Sequence, residues 1–362
     1  MTDLFQPLTL AHGPAWKNRF MLAPLTNTQS HADGVLSDDE FNWLTLRAKG
    51  GFGLTMTCAA HVQAAGQGFP GQLGAWDDRH IEGLTRLASA IKAHGSVSSL
   101  QIHHAGNRSP KELVGTPVCP SNDPKTGARG LTLAEVEAVR DAYIAAAVRA
   151  ETAGFDGVEI HGAHGYILAQ FLSAEINHRD DRYGGSLENR ARIILEIIDG
   201  IRASTKANFQ LGLRLSPERF GLKLAEIRDV AAEILRAGKI DFLDMSLWDV
   251  VKEPNEEEHK GRTLMSYFTD LPRGEVRLGA AGKVMTGASA AGVLEAGCDY
   301  VVVGRAAILR HDFVERVRAD RNYVSPPTPV TVQHLRDEGL SPAFIQYMRQ
   351  WPNFVEAEAT AA

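Results

Sequence analysis

His161, His164 and Tyr166 fall close together in GVEIHGAHGYILAQFLS, residues 157–173. Two imidazoles and a phenol at that spacing can hold an oxygen and supply a proton, and HxxH can also bring two imidazoles onto one metal ion. Val158 and Ile160 before them read as buried strand, whereas Ile167, Leu168, Phe171 and Leu172 after them form an apolar helical stripe. The polar group therefore stands where a strand hands over to a helix. Such a junction is either a satisfied structural corner or a site, and the elements around it decide which.

Those elements repeat. Short apolar runs at 19–26, 54–62, 96–104, 157–163, 210–216, 242–247, 276–281 and 300–305 alternate with amphipathic stretches. Helices are expected at 38–51, 131–154, 187–204, 225–238 and 287–298, with Thr132 and Glu135 as a capping box for the second. Strands that read as continuous apolar runs are parallel and covered by helices, and about eight βα units predict a closed (β/α)8 TIM barrel, an α/β fold. An open doubly wound sheet is the rival. It would carry a glycine-rich turn after its first strand, where this chain has NTQSHADG. The barrel is expected over 1–325, and SPPTPVT (325–331) leads into a C-terminal helical tail over 326–362, placed at a subunit interface.

A barrel gathers its strand ends on one face. Thr26, Gln101, His103, His104, His161, His164, Arg214, Ser216 and Arg305 converge there, a ring of donors suited to an anionic, hydrogen-bond-rich ligand. Gly282 after the seventh strand and Gly304-Arg305 after the eighth fit a phosphate. The other reading is tight turns and a surface ion pair. Arg214, flanked by apolar residues, must face a carboxylate or an anionic ligand. Gln101 suits an imide-like edge, or is a satisfied core amide. A catalytic metal would also call for carboxylates, yet no Asp or Glu ends a strand beside the histidines, and Glu159 lies deeper. Two donors gripping an oxygen are preferred, with no metal. A metal-dependent barrel hydrolase is the alternative.

The bulk properties narrow the classes. The chain has 362 residues, 44% of them hydrophobic, and a net charge of −6 without a basic block, which argues against nucleic acid. Three cysteines far apart, Cys58, Cys119 and Cys298, exclude a cysteine-ligated cluster within this chain. No apolar run reaches the ~20 residues of a membrane helix, and the first residues do not read as a secretory leader, so a cytoplasmic location is expected.

The stretch HGAHGYILAQFLSAEINHRDDRYGGSLENRARIILEII resembles the signature segment of the Old Yellow Enzyme family of FMN-dependent ene-reductases. The resemblance extends over KNRFMLAPLT, QIHHAGNR, LRLSPERFG and the GK…VVVGR region, which is most of the chain. It implies non-covalent FMN at the strand C-termini, reduced by NADPH or NADH. Ala23, Pro24, Leu25 and Thr26 would line the flavin, Ala59 would touch its edge, Gln101 would bind the pyrimidine, and Arg214 would stand by N1 and O2. Gly282, Lys283, Gly304 and Arg305 would hold the phosphate. His161 and His164 would bind a substrate carbonyl oxygen, and Tyr166 would donate the proton when an electrophilic alkene is reduced. Nitro compounds or quinones are the alternative acceptors. QYMRQW (346–351) resembles the ending of the thermophilic-like subgroup, which makes Arg349 a substrate-binding candidate reaching a neighbouring subunit and implies a homodimer or higher homo-oligomer. Thr26 and Thr28 stand where that subgroup usually has cysteine and tyrosine, and the chain continues with PNFVEAEATAA beyond its usual end.

Overall fold

The computed structural model describes residues 3–357. Eight parallel strands close into a barrel: β1 (Phe20–Leu22), β2 (Leu54–His61), β3 (Val97–His103), β4 (Gly157–Gly162), β5 (Gln210–Leu215), β6 (Phe242–Ser246), β7 (Arg277–Ala281) and β8 (Tyr300–Val303). Each neighbours the next in sequence, and β1 closes the ring by pairing Phe20 with Val301 on one side and Met21 with Leu54 on the other. All eight lie in the stretches expected to be strands. Burial on both faces is the reason: every residue of β2, β3, β4 and β5 is buried.

Helices follow the strands in order: α1 (Asp38–Lys49), α2 (Ile81–Ala93), α3 (Leu133–Thr152), α4 (Leu187–Ser204), α5 (Leu224–Ala237), the short α6 (Ser266–Thr269), α7 (Gly287–Glu295) and α8 (Phe313–Ala319). The capping box forms as expected, with Thr132 accepting from the Glu135 N–H and Glu135 accepting from the Thr132 N–H. Helix α2 was not among the expected elements, although it buries Leu84, Leu87, Ala88 and Ile91 at helical spacing. Helix α6 has only four residues because the segment before it, WDVVKEPNEEEHKGRT, is too polar and too interrupted to cover the sheet.

The barrel interior is a packed core. At its lower end the Trp16, Phe242 and Tyr300 rings meet edge to face, with centroids 5.6, 5.0 and 6.1 Å apart. Small residues on neighbouring strands make room: a Cβ on Gly212 would lie 2.1 Å from the Phe242 ring. Gly212→Ala is therefore expected to cost about 1–3 kcal/mol of stability in chemical denaturation, and Phe242→Leu in the same chain should recover part of it. An unchanged unfolding midpoint in Gly212→Ala would mean that the ring is free to move.

After the barrel, α9 (Val332–Asp337) and α10 (Pro342–Met348) return to α1. Phe344 packs edge-on to Trp43 at 5.4 Å, and Arg47 Nη1 donates to the Glu338 carbonyl at 2.7 Å. No helix among the described residues is long and apolar enough to cross a membrane.

Candidate active site

At the C-terminal end of the strands lies a cavity of about 550 Å³, a size suited to a small-molecule ligand. Most of the residues singled out in the sequence line it: Ala23, Pro24, Leu25, Thr26, Ala59, Gln101, His103, His161, His164, Tyr166, Arg214, Gly282, Lys283, Gly304 and Arg305. His104, which accepts from the Gly106 N–H, and Ser216 lie behind the lining, and Arg349 is outside it too. Arg349 stands at the C-cap of α10, whereas Tyr347, Met348 and Trp351 from the same segment line the cavity of their own chain.

The loop after β1 is held from below by Glu40 of α1. The carboxyl accepts from Asn27 Nδ2 at 3.1 Å and from the Cys58 thiol at 2.7 Å, and the Ser30 hydroxyl also donates to it. Burial pushes this carboxyl above the usual range, so each bond matters to a group that has lost its water. That anchoring fixes the wall formed by Ala23 to Thr26.

The floor is made by strand register. Gln101 lies opposite Glu159 and Arg214 opposite Asp244. Gln101 Nε2 donates to Glu159 Oε1 at 2.7 Å, and Arg214 Nε meets Asp244 Oδ2 at 3.1 Å. Arg214 thus faces a carboxylate while still lining the cavity. The floor carries two buried carboxyls against one guanidinium, and burial raises the pKa of both. Asp244 is a partner that the sequence reading did not identify. Its position in FLDMS, inside an apolar run beside the strand of Arg214, was the available signal.

The catalytic candidates gather at the end of β4. His161 Nδ1 accepts from the Ala163 N–H at 3.2 Å, so a neutral ring carries its proton on Nε2. That nitrogen is 3.2 Å from His164 Nδ1, and His164 Nε2 in turn reaches Ser246 Oγ at 2.7 Å. Burial and the nearby Arg214 and Arg108 hold both imidazoles well below the ordinary histidine value, so they are neutral donors near neutral pH. His164 adopts φ 58°, a left-handed conformation costly for a side chain, and its N–H donates to Ser216 Oγ at 2.9 Å. The Tyr166 ring is 5.1 Å from His161 and 4.4 Å from His103. Burial raises the tyrosine pKa, keeping the phenol protonated.

His103 and Ser246 belong to this group more closely than the sequence indicated. His103 Nδ1 is 3.1 Å from Gln72 Nε2 and, as an acceptor, leaves its own proton on Nε2, which has no hydrogen-bond partner among the described residues. The one cluster among the described residues with ligand atoms close enough to share an ion is Glu256, Glu258 and His259, on the β6–α6 segment and not at the strand-end histidines.

The lining fits FMN. Arg305 has no carboxylate partner among the described residues, and a Cβ on Gly282 would meet the Asp249 backbone nitrogen at 2.6 Å, so backbone closes tightly there. Lys283 Nζ also lies at this end, 2.8 Å from Asp249 Oδ2. Gln101 and Arg214 form a polar end, and Ala23, Leu25 and Val302 form apolar walls between.

Comparison with known proteins agrees with this arrangement. Residues 3–323 match the model of the NADH:flavin oxidoreductase / NADH oxidase family. The chain is 37% identical over 330 residues to the probable NADH-dependent flavin oxidoreductase YqiG of Bacillus subtilis, with 88% of each covered. It is 33% identical over 354 residues to the NADPH dehydrogenase of Bacillus licheniformis, covering 96% of this chain and 98% of that one. Among solved structures, the old yellow enzyme homologue from Zymomonas mobilis superposes with a TM-score of 0.80 at 27% identity, covering 92% of this chain and 96% of the other.

Proposed function

From the premise that the chain belongs to the NADH:flavin oxidoreductase / NADH oxidase family, and is an FMN-dependent NAD(P)H oxidoreductase of the Old Yellow Enzyme kind, we propose that it reduces the carbon–carbon double bond of α,β-unsaturated carbonyl compounds. The observation that supports this reading is the neutral His161–His164 pair beside a buried, protonated Tyr166.

A flavin held at this site would supply hydride transfer from NAD(P)H to the β-carbon of the acceptor. His161 binds the acceptor's carbonyl oxygen through Nε2–H. Its present partner, His164 Nδ1, is a neutral nitrogen at 3.2 Å, and an oxygen gaining negative charge competes well against it. His164 adds a second donor by giving up Ser246, which keeps Arg214 Nη2 within 3.4 Å. Donors aimed where charge develops favour the enolate over the ketone. Tyr166 then protonates the α-carbon. Gln101 and Arg214 would orient the pyrimidine end of the flavin, and Gly282, Lys283, Gly304 and Arg305 would hold its phosphate.

The test is an absorption spectrum followed by anaerobic addition of NADPH or NADH and then cyclohexenone. The flavin band is expected to bleach with the nicotinamide and return with the enone. Bleaching without return would move the activity to nitro compounds or quinones. A colourless protein that takes up no FMN would overturn the cofactor assignment at this site.

A further inference from the structure

We propose that Arg108 and Arg219 form an anion-binding subsite at the cavity mouth, so that the preferred acceptor carries a carboxylate at the end remote from its enone oxygen. The proposal rests on the reading above for the His161–His164 pair.

Of the residues lining the cavity, five are arginine or lysine and none is a carboxylate. Three of the five already have work. Arg214 is paired with Asp244, Lys283 is paired with Asp249, and Arg305 stands with them at the flavin. Arg108 and Arg219 remain. Both are exposed, and neither has a carboxylate partner among the described residues. Arg108 gives one N–H to the His164 carbonyl, which ties it to the catalytic turn.

Both guanidiniums line the same cavity and both lie within cation–π range of the Phe220 ring. Arg108 lies 5.8 Å and Arg219 5.6 Å from the Phe220 centroid, while Arg108 also covers Tyr166 at 4.8 Å and Arg219 covers Trp248 at 4.7 Å. Stacking holds planar guanidiniums against aromatic faces and leaves their N–H edges for an acceptor. Two positive charges lining one cavity that holds no carboxylate attract an anion that enters it. The backbone here is also strained to hold the arrangement: Arg219, Phe220 and Trp248 all take left-handed φ, at 70°, 56° and 70°. Strain of this kind persists where surrounding structure enforces it, and it gathers at binding sites. Arg108 touches the Tyr166 ring, so a ligand held by the histidines needs only a short arm to reach it.

The probes are 3-(4-hydroxyphenyl)propionate and its neutral amide, titrated into the oxidised FMN holoenzyme at low salt. Each places a phenol oxygen for the histidines, and a phenolate stacked on flavin gives a long-wavelength charge-transfer band. The acid is expected to bind about tenfold tighter than the amide, as one charge-assisted contact provides. That preference should shrink with added salt and fall to near unity in Arg108→Gln/Arg219→Gln. Equal binding of acid and amide by the native protein would overturn the subsite, as would a preference that survives both substitutions. A third result would assign the arginines to the phosphates of the nicotinamide donor and overturn the carboxylate reading: acid and amide bind alike, and the double variant needs more NADPH or NADH to bleach. No band with either phenol would remove the oxyanion reading and the subsite with it.

Discussion

Tyr166→Phe should leave the reduction of the flavin by NAD(P)H close to native and slow its reoxidation by cyclohexenone by about a hundredfold or more, the usual contribution of a positioned general acid. The substitution keeps the ring, and with it the edge contacts to His103 at 4.4 Å and His161 at 5.1 Å. Only the hydroxyl proton is lost. Anaerobic stopped-flow separates the two half-reactions on one sample. Acceptors that need no proton on carbon, such as quinones, should be reduced by the variant at nearly the native rate. The pH profile of the native reoxidation supplies an independent check. Burial raises the Tyr166 pKa, so the phenol stays protonated through the ordinary tyrosine range and the rate should hold up to high pH. Equal losses in both half-reactions would indicate a disturbed flavin site and remove Tyr166 as the donor.

Arg214→Ala should be the most damaging single change to stability, costing about 3–5 kcal/mol even in the apoprotein. Arg214 is 5% exposed and Asp244 0%, and the Nε to Oδ2 distance is 3.1 Å. Removing the guanidinium leaves Asp244 and Glu159 buried without a counter-charge. The defect should depend on pH with a definite sign. Burial already raises both carboxyls, and loss of Arg214 removes a charge that lowers each of them. A carboxyl whose folded pKa lies above its unfolded value favours the fold at low pH and loses that contribution as pH rises through the folded value. Arg214→Ala should therefore be closest to native in acid and weakest in alkali. Asp244→Asn in the same chain should recover part of the loss. Urea unfolding of the apoproteins at two pH values measures this apart from FMN binding. A pH-independent defect would place its cause in packing.

The strand positions were legible because parallel strands buried on both faces leave uninterrupted apolar runs. Each run extends past its strand by a residue or two, and the first overshoots by far the most. The run from Arg19 to Thr26 contributes three residues to the sheet, and the remainder from Ala23 becomes the cavity wall. Once the barrel is inferred, its geometry brings strand-end side chains to one face, so Gln101, His161, Arg214 and Arg305 could be placed together from order alone. What order cannot express is register and distance. Asp244 meets Arg214 because adjacent strands align those two residues. Ser246 reaches His164 from a strand 82 positions away. Tyr347 and Trp351 join the cavity only because α10 docks Phe344 against Trp43 of α1. The left-handed turn that stacks Arg219 on Trp248 likewise depends on contacts between loops that no local pattern encodes. The amino-acid order by itself determined which side chains arrive at the end of the barrel; tertiary packing decided which of them touch and which of their charges meet a carboxylate among the described residues.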